Sequence, residues 1–200
     1  MALVGRRLGV MGGTFDPIHY GHLVTAEEAL DQFGLDEVVF VPTGHPWMKA
    51  HDVISAAEDR YLMTVIATAS NPLFSVSRVE VDRDGPTYTI DTLRALKSER
   101  GPKTDLFFVT GADAIVEIFQ WKQLDELFDL AHFIAATRPG YDIAAFSAHA
   151  APHPAVTVMN VPALAISSTD IRARVGASHP IRYLVPESVK AYIEKAGLYR

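Results

Sequence analysis

The sequence predicts an α/β protein built on a parallel sheet with helices on both faces, and three observations carry that reading. Short apolar runs alternate with stretches whose apolar residues recur at helical spacing, the rhythm of parallel strands joined by crossover helices. A glycine pair, Gly12-Gly13, stands between the first apolar run and the first helical stretch. The chain has 200 residues that are 48% hydrophobic and no cysteine, enough for one substantial core without disulfide staples.

Taken in order, Arg7 to Met11 reads as a buried first strand, and Leu23, Ala26, Leu30 and Phe33 mark one face of the helix that follows. Glu37 to Val41 is a β-branched second strand. Ser55 and Glu58 form a capping-box pattern, opening a helix with Tyr61, Leu62, Val65 and Ile66 turned inward. Phe74 to Val81 alternates as a third strand, and Thr89 to Lys97 is a helix stopped by Gly101-Pro102. Asp105 to Thr110 is a strong strand, with helices expected over Asp113 to Gln120 and Leu124 to Leu130. Phe133 to Thr137 is the next strand, ended by Pro139-Gly140, and Val156 to Val161 is the last. Helices over Thr169 to Arg174 and Glu187 to Lys195 close the chain. The segment from Tyr141 to Pro154 has no period and reads as a surface loop. No repeat, linker or low-complexity tract divides the chain, so residues 1–200 are expected to form a single domain, Rossmann-like and doubly wound.

Charge and hydropathy exclude several classes. Net charge is −6 with no cluster of Lys or Arg, which argues against a nucleic-acid footprint. Any anionic substrate must then be held by local donors such as helix N-termini, His19, His22, Lys49 and Arg172. No apolar stretch approaches a membrane span, and the run after Arg6-Arg7 is too short for a signal sequence. A cytoplasmic protein is the expectation, and a homo-oligomer is left open.

The stretch Gly12-Gly13-Thr14-Phe15-Asp16-Pro17-Ile18-His19-Tyr20-Gly21-His22 carries the chemistry. Glycines at a strand-to-helix turn let backbone N–H groups approach a phosphate, and His19 and His22 fall on one side of the first helical turn. A dinucleotide fingerprint is a poor fit, because the glycines are adjacent and a bulky Phe-Asp-Pro follows. The two histidines lack the further ligands that a zinc site needs. At the other end, Ile166-Ser167-Ser168-Thr169-Asp170-Ile171-Arg172 puts hydroxyls at a helix start with an arginine nearby, which reads equally as an N-cap or a phosphate grip.

These residues resemble the nucleotidyltransferases with the H-x-G-H signature, here His19-Tyr20-Gly21-His22, and within them the bacterial nicotinate-nucleotide adenylyltransferase family. Gly12 to Pro17, Pro86 to Leu93, Gly111-Ala112-Asp113, Trp121, Arg138-Pro139-Gly140-Tyr141, Ile166 to Arg172 and the ending from Gly197 fit that family's landmarks in order. The resemblance implies transfer of adenylate from ATP to nicotinate mononucleotide, with Mg²⁺ accompanying ATP and held through its phosphates. It implies catalytic roles for His19, His22 and Arg172, and ATP contacts from Gly12, Gly13, Thr14, Phe15, Lys49, Gly111, Asp113, Ile166, Ser167 and Ser168. It assigns Tyr88, Thr89, Trp121, Asp16 and Arg138 to the mononucleotide, although an Asp before Pro17 also suits a turn cap. His45-Pro46-Trp47-Met48-Lys49 departs from the family's loop and alters the shape of the flap there.

Overall fold

The computed structural model describes residues 5–45, 54–112, 124–137, 153–162 and 164–200. Its frame is a six-stranded sheet in which all strands are parallel, ordered β3-β2-β1-β4-β5-β6. The elements run β1 (Arg7–Gly13), α1 (Tyr20–Phe33), β2 (Glu37–Pro42), α2 (Ala57–Thr68), β3 (Phe74–Val76), α3 (Thr89–Arg100) and β4 (Asp105–Gly111). They continue as α4 (Leu124–Leu130), β5 (Ala131–Thr137), β6 (Val156–Asn160), α5 (Ser168–Gly176) and α6 (Glu187–Ala196). The expected helix over 113–120 lies outside the described residues, as does 141–152 of the expected loop.

Alternation along each strand sorts the apolar side chains onto two faces. Met11, Val38, Phe40, Phe107, Val109 and Ile134 meet α1, α2, α5 and α6 on one side. Leu8, Val10, Val39, Val41, Leu106, Phe108 and Phe133 meet α3 and α4 on the other. Every residue of β2 is buried, as a strand covered on both faces requires. Each such Val, Leu or Phe contributes roughly 1.5–3 kcal/mol by leaving water.

The winding reverses between β1 and β4, so the connections leaving these neighbours diverge and open a crevice at their carboxyl ends. Gly12 and Gly13 end β1 there, and Gly111 ends β4. The doubly wound expectation holds.

Three local expectations are corrected. Of Tyr61, Leu62, Val65 and Ile66, Ile66 alone packs against the core, half-buried; the buried residues of α2 are Arg60, Met63, Thr64, Ala67 and Thr68, and Leu62 is exposed. Apolar spacing misreads this helix because polar groups set its rotation. Arg60 needs interior carbonyls, and Thr64 and Thr68 satisfy their hydroxyls on the carbonyls of Arg60 and Thr64, one turn back. Ser55 does not cap α2. Ala56 holds the N-cap position, and the Ser55 N–H is directed instead to Asp16 Oδ2 at 3.2 Å. Strand β3 stops at Val76, where the chain bends into turns closed by Asp82 N–H to Arg78 O and Arg83 N–H to Glu80 O. Arg78 pins that bend through Asp82 and Glu58.

Candidate active site

The crevice beyond β1, β4 and β5 is a cleft of about 190 Å³ lined by Gly12, His19, His22, Thr25, Gly111 and Thr137, among others. His19 has extended backbone (φ −146°, ψ 171°) and is the N-cap of α1, so it is both the last residue of the glycine-rich loop and the start of the helix. His22 follows one turn later, and its Nδ1 accepts the His19 backbone N–H at 3.3 Å. That bond fixes the tautomer: Nδ1 accepts, so Nε2 carries the proton and is a donor. The two rings stack at 3.8 Å between centroids with 23° between planes. Phe15 meets the His22 ring edge-on at 5.1 Å.

Small residues make this stack possible. A Cβ on Gly21 would lie 2.9 Å from His19 Cε1 and Nδ1, inside the ring's own contact shell. A Cβ on Gly13 would lie 2.8 Å from the Phe15 ring, which folds beneath it because Phe15 takes a left-handed backbone (φ 50°). Gly13 therefore serves ring packing as much as close approach to an anion.

The start of α5 is tied to the same loop from a different part of the sequence. Ser167 is the N-cap, its Oγ accepting the Asp170 N–H at 3.1 Å. Ser168 Oγ donates to Pro17 O at 2.9 Å, and Arg172 Nη1 donates to Asp16 O at 2.8 Å. Ile166 is buried just ahead of them. The glycine-rich loop and the start of α5 are thus joined directly, through Pro17 and Asp16.

Asp16, expected on the mononucleotide, is not among the residues that line the cleft. Its side chain is 2% exposed, with Oδ1 accepting the Tyr199 hydroxyl at 2.6 Å and Oδ2 the Ser55 N–H. Both oxygens already have protein donors beneath the loop. Arg60, 1% exposed, sits close by and donates to Ser55 O at 3.0 Å, Thr14 O at 2.8 Å and Gly44 O at 3.0 Å. Burial lowers the pKa of this guanidinium, and Asp16, Tyr199 and Glu80 push it back up. An arginine in that balance stays charged.

The cytidylyltransferase-like family model matches residues 10–174. A protein of Salinispora tropica named "Probable nicotinate-nucleotide adenylyltransferase" is 64% identical over 190 residues, covering 95% of this chain and 100% of that protein. The chain belongs to the nicotinate-nucleotide adenylyltransferase family. A relative of the same name in Paenarthrobacter aurescens is 62% identical over 94% of this chain and 89% of its own. The structure of Plasmodium falciparum nicotinic acid mononucleotide adenylyltransferase complexed with NaAD superposes with a TM-score of 0.81 at 22% identity, over 97% of each chain. That likeness establishes the shared fold.

Set against the family's landmarks, His19, His22, Gly12 and Gly111 share the cleft; Gly13, Thr14, Phe15, Ser167, Ser168 and Arg172 are not among its lining residues, and Ser168 and Arg172 are bonded to the loop at Pro17 and Asp16. Tyr88 and Thr89 stand elsewhere. Tyr88 is the N-cap of α3 and packs on the opposite core, and neither residue lines the histidine cleft among the described residues. Lys49, Asp113, Trp121 and Arg138 lie outside the described residues, as does the departure at Trp47-Met48. Sequence reasoning missed Arg60 and Tyr199. A trace of the first was present: Arg60 shares a helical face with Met63, Thr64 and Ala67, where an unpaired charge is not tolerated.

Proposed function

We propose that residues 1–200 act as a single cytoplasmic domain that transfers adenylate from ATP to nicotinate mononucleotide in NAD biosynthesis. The mononucleotide phosphate oxygen bonds to the α-phosphorus of ATP, the bond from that phosphorus to the β-phosphate oxygen breaks, and pyrophosphate leaves with its electron pair. The product is nicotinate adenine dinucleotide. The observation that supports this best is the stacked His19–His22 pair on the switch-point cleft, within a chain 64% identical along its length to a named family relative. No described helix is long and apolar enough to cross a membrane.

The nucleophile is already ionised at neutral pH, so the chain needs no general base. Its task is to hold the phosphates in line and spread their charge. His22, with Nε2 protonated, and His19 meet the α-phosphate region, and the start of α1 adds its dipole. Arg172 presents a fork to the β- and γ-phosphates beside the N–H groups of Ser167 and Ser168. Gly12, Gly13, Thr14 and Phe15 shape the floor, with Ile166, Lys49, Gly111 and Asp113 on ATP. Tyr88, Thr89, Trp121 and Arg138 receive the mononucleotide. Asp16 supports the loop from below.

Among the described residues no cluster of three or more His, Asp or Glu side chains could hold a metal ion. The donor set fits Mg²⁺ that arrives with ATP, since this ion keeps several waters and takes phosphate oxygens in preference to a protein cage. Bound in that way it supplies charge neutralisation on the phosphates.

The test is pyrophosphate release and product mass with Mg-ATP and each of nicotinate mononucleotide, nicotinamide mononucleotide and phosphopantetheine. Nicotinate mononucleotide should turn over fastest. Faster turnover of phosphopantetheine would replace this reading.

A further inference from the structure

Tyr199 is the second-last residue of the sequence, yet its hydroxyl reaches the glycine-rich loop, donating to Asp16 Oδ1 at 2.6 Å across 183 positions. We propose that Tyr199 is a positioning residue for adenylyl transfer: through Asp16 it holds the loop in the place where Arg172 meets it.

Asp16 is the joint. Its side chain takes the Tyr199 hydroxyl and the Ser55 N–H, and its main-chain oxygen takes Arg172 Nη1 at 2.8 Å. A buried residue held at both ends has little freedom, so a shift of the carboxylate moves the carbonyl on which the guanidinium rests. Arg60 grips Thr14 O two residues earlier, which leaves the loop few other ways to relax.

The tail is shaped for this contact. Gly197 and Tyr199 both take left-handed backbone, φ 67° and 65°. A tyrosine avoids that conformation unless tertiary contacts impose it. The turn brings Tyr199 O against the end of α5, where a Cβ on Gly176 would lie 3.4 Å away. The tail therefore touches α5 at its end and reaches Arg172, near its start, through Asp16. Burial first, and the Asp16 carboxylate second, hold the Tyr199 hydroxyl protonated far above its ordinary range, so it donates across the working pH.

The proposal rests on Arg172 facing the ATP phosphates, and the test keeps the two apart. Tyr199→Phe keeps the ring and removes only the donor. Tyr192→Phe is the control: it breaks a like bond, Tyr192 hydroxyl to Asp59 Oδ1 at 2.7 Å, which joins α6 to α2 and does not reach the loop. Tyr199→Phe should lower kcat about tenfold while the KM for nicotinate mononucleotide stays within about twofold, because a hydrogen bond to a charged group is lost where phosphate charge is stabilised. It should also speed amide exchange over residues 12–18. Tyr192→Phe should change neither. In an Asp16→Asn background Tyr199→Phe should add nothing further to the loss in kcat.

Wild-type kcat in a folded Tyr199→Phe protein overturns the proposal, and so does unchanged exchange over 12–18 or full additivity with Asp16→Asn. If Asp16→Asn does not fold, the exchange and the kcat-against-KM split decide. If Arg172→Ala costs nothing in kcat while Tyr199→Phe still loosens the loop, the phosphate role of Arg172 falls and the latch between tail and loop stands.

Discussion

The two histidines and Arg60 all border one loop, but they are held by opposite means. His19 and His22 are three residues apart, and what positions them is local: an N-cap conformation, the His19 N–H on His22 Nδ1, and a glycine between them. Arg60 is held by carbonyls of residues 14, 44 and 55, with the carboxylate of Asp16 and the hydroxyl of Tyr199 completing its surroundings. The first group is a motif that makes its own geometry. The second is a junction that exists only when several loops arrive together, so damage to it spreads to every segment it joins.

Removing the junction should have the largest effect. Arg60→Ala leaves the carbonyls of Thr14, Gly44 and Ser55 without that donor, and removes the buried cation beside Asp16. Stability in urea unfolding should fall by about 3–5 kcal/mol, the scale for breaking a buried charged cluster. A loss under about 1 kcal/mol would mean the loops hold themselves.

Breaking the motif should show the reverse balance. His22→Ala is expected to lower kcat by about 100- to 1,000-fold, the worth of one preorganised donor to developing charge. Its melting temperature should drop only by about 3–5 °C, since the loss at the helix start is near 1 kcal/mol. Turnover close to wild type in that folded variant would remove the histidine from the chemistry.

Gly21→Ala sharpens the contrast without deleting any functional atom. The new methyl must displace the His19 ring, and kcat should fall by about tenfold with a stability cost of about 1–3 kcal/mol for overpacking. If kcat is unchanged, the stacked geometry is not what the reaction uses.

The smallest effect concerns pH at the edge of the junction. Glu80 is buried and accepts the Thr92 hydroxyl at 2.7 Å, and burial raises its pKa above the ordinary 4.5. The folded state then binds this proton more tightly than the unfolded chain does, so the ionised form costs stability. Relative to Glu80→Gln, the wild type should lose stability as pH rises from 4.5 through the raised value, with the gap widest above it. Parallel curves for the two proteins across that range would show that the carboxylate pays no burial penalty.

The strands were legible because their signals are local. Apolar runs bounded by Gly and Pro located β1, β2, β4 and β5 to within a few residues, and the glycine-rich turn marked where β1 hands over to α1. The helix starting near Ser167 was legible too, but its partner was not: that Ser168 and Arg172 would lie on Pro17 and Asp16 required the turn of the whole sheet. Helix α2 was found and rotated wrongly, since apolar spacing has no term for a buried arginine that selects its own face.

By itself, then, the order of residues determined the alternation of strands and helices, the glycine-rich turn where β1 hands over to α1, and the pairing of His19 with His22. Each depends on neighbours within a few positions, where backbone geometry leaves little choice. Tertiary structure alone decided that Asp16 lies beneath the loop and that Arg60 and Tyr199 hold it there. A buried polar group takes whichever partners the packed elements bring within about 3 Å, and no spacing along the chain specifies what will arrive from 183 residues away.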